Sequence, residues 1–205
     1  MDPTEFIRQN TAIAAPPLVP EIRLHLATEV TPIWQATEES LERSGLPPPF
    51  WAFAWAGGQG LARYILDNPD IVRGKRVVDF ASGSGMVAIA AALAGAAHVR
   101  AVDIDPWAKS AVMLNAAVNG VTIDVISDDV IGKDLDADVL LAGDVFYDKG
   151  FADALIPWFS TLTSRGVVVL VGDPGRAYLP KTKLIACATY QVPGRRVLED
   201  SEVKQ

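Results

Sequence analysis

Val77-Val78-Asp79-Phe80-Ala81-Ser82-Gly83-Ser84-Gly85 is the stretch that decides the fold. Its β-branched start reads as a buried strand and its glycines as a turn. The Ala-rich run at 85–93 that follows reads as a helix. Glycine lets a backbone take positive φ and come close to a ligand, and a helix N-terminus offers unpaired N–H groups. In open α/β sheets, a turn of this kind at the carboxyl end of a strand is where ligands sit.

The same alternation extends outward from that turn. Helices are expected at 58–66, 107–118 (with Pro106 in the first turn) and 151–161. Strands are expected at 76–81, 99–103, 122–126, 139–143 and 167–172, the last being the most apolar and read as fully buried. Short strands alternating with helices imply a parallel sheet covered on both faces. Beyond Asp173, segments 183–190 and 195–198 flank Pro193-Gly194 and predict a closing antiparallel hairpin. Residues 1–49 are read as an N-terminal extension on the substrate side and 50–205 as the catalytic domain. Within the extension, Leu24, Leu26, Val30 and Ile33 line a strand or an edge, and 37–44 reads as a short acidic helix.

The chain has 205 residues, 50% apolar and 21% charged, which fits a globular protein and excludes a disordered one. Lys+Arg 18 against Asp+Glu 25 leaves a net charge of −7, without the basic footprint of a nucleic-acid binder. One cysteine, Cys187, excludes an intrachain disulfide and a Cys-based zinc site. No apolar run reaches the roughly 18 residues of a membrane span. The N-terminal residues open with acid and have no basic leader, so a cytoplasmic monomer is expected. No metal-ligand spacing, phosphate loop or nucleophile elbow is present in the sequence.

Two ligands compete for the glycine turn. From Gly83 the sequence reads G-x-G-x-x-A, a dinucleotide fingerprint, with Asp103 placed to meet a ribose. Acids favour S-adenosylmethionine. Asp79 lies inside the strand, and Asp79, Asp103, Asp129 and Asp144 punctuate successive strand ends. Such a rim suits a sulfonium with an ammonium group and repels a pyrophosphate. The expected cofactor set is Trp55, Asp79, Ala81, Ser82, Gly83, Gly85, Asp103, Ile104, Asp129 and Gly143. Asp103 would hold the ribose hydroxyls, Ile104 would pack on the adenine, and Asp129, in preference to Asp128, would accept from the adenine amino group. The alternative for Asp79 is a cap on the following turn. Asp124, Asp134, Asp136 and Asp138 read as a solvated face.

Five motifs carry a resemblance to a known family: Pro49-Phe50-Trp51-Ala52-Phe53-Ala54-Trp55-Ala56-Gly57-Gly58-Gln59, the glycine turn, Val102-Asp103-Ile104-Asp105-Pro106, Asn115-x-x-x-Asn119-Gly120, and Gly143-Asp144-Val145-Phe146-Tyr147-Asp148. The run they span is similar to the seven-strand class I methyltransferases. Among these it most resembles the protein-lysine methyltransferases that modify the β subunit of electron transfer flavoprotein. Ala81 stands where the family usually has a glycine. The resemblance implies methyl transfer from S-adenosylmethionine to a lysine of that protein. The alternatives are another protein such as a ribosomal one, a small amine, or a cofactor-binding module without catalysis.

The resemblance also implies that Asp144 and Tyr147 are the catalytic pair at the methyl group. A lysine of pKa about 10.4 must give up roughly 4.6 kcal/mol to expose its lone pair at pH 7. A carboxylate opposes that loss, so Asp144 is assigned to binding and orienting the amine, with Tyr147 as a cation–π wall. The competing reading makes Phe146 and Tyr147 packing residues and Asp144 a helix cap. Of the alternating aromatics, Trp55 is expected at the cofactor, and Trp51 and Phe53 in packing.

Overall fold

The computed structural model describes residues 2–28, 31, 33 and 47–193. The expected acidic helix at 37–44 and the expected strand at 195–198 lie outside these residues. A helix α1 (Pro3–Asn10) leads into two short strands, β1 (Ala12–Ala14) and β2 (Leu24–Leu26), which pair antiparallel. A 3-10 turn, Phe50–Ala52, precedes α2 (Ala56–Asp67), and a second, Pro69–Ile71, follows it. Then follow β3 (Arg76–Phe80), α3 (Met86–Leu93), β4 (His98–Val102), α4 (Pro106–Val118), β5 (Asp124–Ile126), β6 (Val139–Gly143), α5 (Lys149–Ser164) and β7 (Val168–Gly172).

Local chemistry sets several of these boundaries. Asp2, Asp105 and Asp148 each cap a helix by accepting a backbone N–H, from Thr4, Trp107 and Phe151 respectively. Pro3 and Pro106 follow two of these caps in the first turn, where proline has no hydrogen bond to lose. α3 has apolar residues on every side and buries six of them, Met86 to Ala91, so it lies inside the molecule.

β3 to β7 form one parallel sheet of order β5-β4-β3-β6-β7. The chain leaves β3 to build β4 and β5 on one side, then returns to β6 and β7 on the other. The crevice between the carboxyl ends of β3 and β6 is therefore the switch point where such sheets bind ligands. On one face, β2, α2 and α3 share a core that includes Val19, Ile22, Leu24, Leu61, Ile65 and Ile89. On the other, α5 brings Leu155, Trp158, Phe159 and Leu162 against Phe80, Leu140 and Phe146.

Two expectations need correction. The segment 167–172 becomes β7, the last strand of the sheet among the described residues, but it is not fully buried: Val168 is 44% exposed, and Val169 and Val171 on one face and Leu170 on the other are only partly buried. The segment 183–190 forms no ladder, and among the described residues the main sheet has five strands. Ile185 there is 90% exposed and its neighbours Ala186, Cys187 and Ala188 are small, so the segment offers little apolar surface to hold a strand. Asp124, Asp134 and Asp136 are exposed, as expected of a solvated face, and surface ion pairs run along it: Asp134 pairs with Arg165, and Asp136 and Asp138 clamp Arg76 at the start of β3.

The Asn115/Asn119 motif explains how the N-terminal residues are held. On α4, the Asn115 Oδ1 accepts the His25 N–H at 2.8 Å, and its Nδ2 donates to the Ser84 carbonyl at 2.8 Å. One turn later Asn119 accepts from the Arg23 N–H at 2.9 Å and donates to the Arg23 carbonyl. The two amides thus act as a substitute strand edge for β2. Asn115 is fully buried, so its loss strands a donor and an acceptor without water. Asn115→Ala is expected to cost roughly 2–3 kcal/mol in urea unfolding; an unchanged midpoint and slope would show that the tie carries nothing.

Candidate functional site

At the switch point, two carboxylates meet two helix N-termini. Asp79, within β3, accepts the N–H of Ala88 at 2.9 Å, the third residue of α3. Asp144, just past β6, accepts the N–H of Gly58 at 2.8 Å, the third residue of α2. Neither helix has a side-chain cap of its own, since their cap positions are Gly85 and Trp55. Each carboxylate therefore meets orphan amides and the positive end of a helix dipole.

The approach of α2 depends on small residues. A Cβ on Gly57 would lie 2.3 Å from the Gly172 carbonyl oxygen, and one on Gly143 would lie 2.9 Å from the Gly58 Cα. Gly143 was expected at the cofactor; its clear role here is to let α2 seat on the ends of β6 and β7. Asp144 itself has φ 58 and donates its N–H to the Gly172 carbonyl at 2.8 Å. Ala81, at the end of β3, has φ 54. These left-handed positions explain why the family prefers glycine at 81, and they mark the two central strand ends as strained.

The glycine turn carries most of the remaining expected residues. Gly83 donates to Asp103 Oδ2 at 2.8 Å, and Asp105 donates to Asp103 Oδ1 at 3.0 Å. The hydroxyl of Ser82 is buried without a partner. Ile104 is 74% exposed beside Asp103, an apolar face open above the strand end. Asp129 is exposed further along, its Oδ1 accepting the Ile131 N–H at 3.0 Å. The 3-10 turn lies over Gly83, with the Phe50 carbonyl and Trp51 Cα in van der Waals range of its missing side chain.

Beside this turn stands an aromatic rim. Phe50 lies 6.0 Å from Trp55 and 6.4 Å from Tyr147, centroid to centroid, and Phe50 and Tyr147 are 55% and 54% exposed. Trp55 donates its indole N–H to the Phe50 carbonyl at 2.9 Å, which fixes the rim. Trp55 was expected at the cofactor; it stands among Phe50, Phe53 and the guanidinium of Arg176. Trp51 is buried and stacks on Trp107, and Phe146 is buried against Phe159, so both are packing residues.

Sequence reasoning missed Phe50 as part of the rim, and it missed Asp173 and Arg176. Arg176 donates to Asp144 Oδ1 at 2.9 Å and lies 5.8 Å over the Trp55 ring. Asp173 continues the row of acids one strand further, at the end of β7, and accepts the N–H groups of Gly175 and Arg176. That continuation was a readable signal; the long reach from Arg176 to Asp144 was not.

Burial governs the charges. Asp79 is pushed up to about 8 by loss of solvent, which outweighs the Ala88 N–H, with nearby Asp103 adding to the rise. Asp103 is also raised by burial despite two backbone donors. Burial raises Asp144 as well, against the Gly58 N–H and Arg176. Tyr147 is raised by burial, then by Asp148 and Asp103, so it stays a neutral phenol. A solvent-deprived acid at Asp79, an orphan hydroxyl at Ser82, a carboxylate at Asp103 and an open apolar face at Ile104 together fit the mixed polar and apolar groups of S-adenosylmethionine.

Comparisons with known proteins find methyltransferases. The family model for ribosomal protein L11 methyltransferase (PrmA) matches residues 63–145. The electron transfer flavoprotein beta subunit lysine methyltransferase of Xenopus laevis is 43% identical over 178 residues, covering 85% of this chain and 71% of that protein. Its Danio rerio counterpart is 42% identical over 200 residues, covering 94% and 76%. Among solved structures, a ribosomal protein L11 methylase from Lactobacillus delbrueckii subsp. bulgaricus is 28% identical, with a TM-score of 0.45 over 57% of this chain and 56% of that one.

Two outcomes are expected. Ala81→Gly relieves the left-handed backbone and should raise unfolding free energy by about 1 kcal/mol; equal or lower stability would mean that position 81 is unstrained. Asp79 binds its proton more tightly folded than unfolded, so its contribution to stability is full below about pH 4 and declines as pH rises toward about 8. Thermal melts of ligand-free Asp79→Asn, which keeps an oxygen for the Ala88 N–H, should therefore gain on wild type between pH 5 and 8. A constant offset across that window would contradict the assignment.

Proposed function

Because the chain belongs to the electron transfer flavoprotein beta subunit lysine methyltransferase family, we propose that it methylates lysine ε-amines of that flavoprotein subunit, with Asp144 and Tyr147 at the acceptor nitrogen. It is an S-adenosylmethionine-dependent protein-lysine methyltransferase. The observation that carries the site assignment is the adjacency of a cation-seeking glycine turn and an open aromatic rim, joined by the turn Phe50–Ala52.

Bound S-adenosylmethionine supplies a methyl on a positively charged sulfur, which leaves as a neutral thioether. Asp79 would receive the ammonium end as the ionised carboxylate, Asp103 would hold the ribose, and Asp129 would accept from the adenine amino group. Phe50, Trp55 and Tyr147 strip water from the incoming lysine side chain, which favours the neutral amine. Asp144 orients that amine. Tyr147, held as a phenol, offers a ring face and a hydroxyl and is no base. Most of the rate gain comes from alignment of nitrogen with methyl.

Phe50 and Tyr147 are more than half exposed, which favours a lysine presented on a protein surface over a small amine sealed in a pocket. The acidic chain suits a basic recognition loop on the partner. The test uses methyl-labelled cofactor with purified electron transfer flavoprotein. Wild type should label lysine of the beta subunit, and Asp144→Asn should lose about 10²-fold in rate while calorimetry shows the cofactor still bound. Label on another class of molecule would replace the substrate reading, and an unchanged Asp144→Asn rate would move the acceptor site elsewhere.

A further inference from the structure

We propose that Arg176 is a positioning residue that cancels the charge of Asp144, so that the acceptor lysine enters the aromatic rim as the free amine. This rests on the lysine methyltransferase reading above.

A buried carboxylate beside a lysine stabilises the ammonium, the form that cannot attack. In this site both Asp144 oxygens already have partners: Gly58 N–H at 2.8 Å on one and the Arg176 guanidinium at 2.9 Å on the other. The guanidinium stays charged throughout the working pH range, so the cancellation does not fade as pH changes. It is held by Asp144 and by the Trp55 face at 5.8 Å, while the backbone beneath it is fixed by Asp173, whose Oδ1 takes the Arg176 backbone N–H at 2.7 Å. Arg176 Nε and Asp173 Oδ2 are buried without partners, a cost unusual for a purely structural ion pair.

The surroundings explain why a cation is needed. Asp144 follows β6, Asp173 follows β7, Asp103 follows β4, and Asp148 opens α5; Tyr147 between them is neutral. Against these acids stand the N-terminus of α2 and Arg176. Without Arg176, an incoming lysine meets excess negative charge and keeps its proton. With it, the free amine uses its lone pair to form the N–C bond. The C–S bond breaks with its electron pair on sulfur; the one proton released is the one the lysine gives to water before it attacks, and the methylated product leaves as the ammonium.

The experiment measures kcat at saturating protein substrate, which reports ionisations in the bound complex, from about pH 6.5 to 10 for wild type, Arg176→Gln and Arg176→Lys, with cofactor affinity by calorimetry. The alkaline-rising limb of Arg176→Gln should move up by about one pH unit, leaving activity about tenfold low at pH 7 and converging with wild type near pH 10. Arg176→Lys should restore most of the limb, and all three should bind cofactor. An unshifted limb at any rate level overturns the proposal, since a structural role lowers activity without moving it. A faster Arg176→Gln at neutral pH also overturns it, because the guanidinium would then be an obstruction. A wild type that labels no lysine overturns the parent reading, and this one with it.

Discussion

Two carboxylates placed against helix N-termini hold the working end of this molecule together. Asp79 joins β3 to α3, and Asp144 joins β6 to α2, each through the third backbone amide of the helix. Burying a carboxylate is costly unless donors meet it, and a helix start supplies donors at no side-chain expense. The same contact fixes two helices over the sheet and leaves two acids, poor in solvent, on either side of the switch point. Structure and chemistry therefore share the same atoms. Asp79 meets the start of α3 and is also the group expected to receive a cation, so the two readings of it that the sequence left open are compatible.

Around those contacts the backbone is crowded. Gly57, Gly58, Gly143 and Gly172 let the start of α2 touch the ends of β6 and β7. Asp144 accepts a left-handed backbone to present its carboxylate there. The aromatic rim follows from the same seating, because Trp55 is the residue just before α2 and is tied to Phe50 five residues earlier. The acceptor side is thus an extension of one helix start, and Arg176 reaches it from beyond the next strand.

The parallel sheet, its glycine turn and the acids at strand ends were readable because each has a local signature: β-branched runs, Gly-x-Gly, and aspartates one residue past an apolar segment. The helix α1 and strand β1 went unread, although Asp2-Pro3 with Glu5 is a helix-start pattern; a short N-terminal helix carries little periodicity, and its stability comes from Ile7 packing on α4. The expected strand at 183–190 failed because alternation alone does not supply a partner or a buried face. Within the site, Asp103 and the turn residues sit together, while Gly143 also packs against α2 and Trp55 also stands in the rim, contacts that the sequence did not reveal. Arg176 could not be read at all: its meaning lies in a contact with a residue 32 positions earlier.

The amide of Asn115 joins the Ser84 carbonyl in the glycine turn to the His25 N–H in the N-terminal hairpin. A single side chain thereby makes the leader and the nucleoside-side loop one mechanical unit. Grafting experiments that exchange leaders between related enzymes to redirect substrate choice will perturb the loop as well, unless the donor leader brings a backbone amide to the same spot. Modularity in this architecture ends at α4.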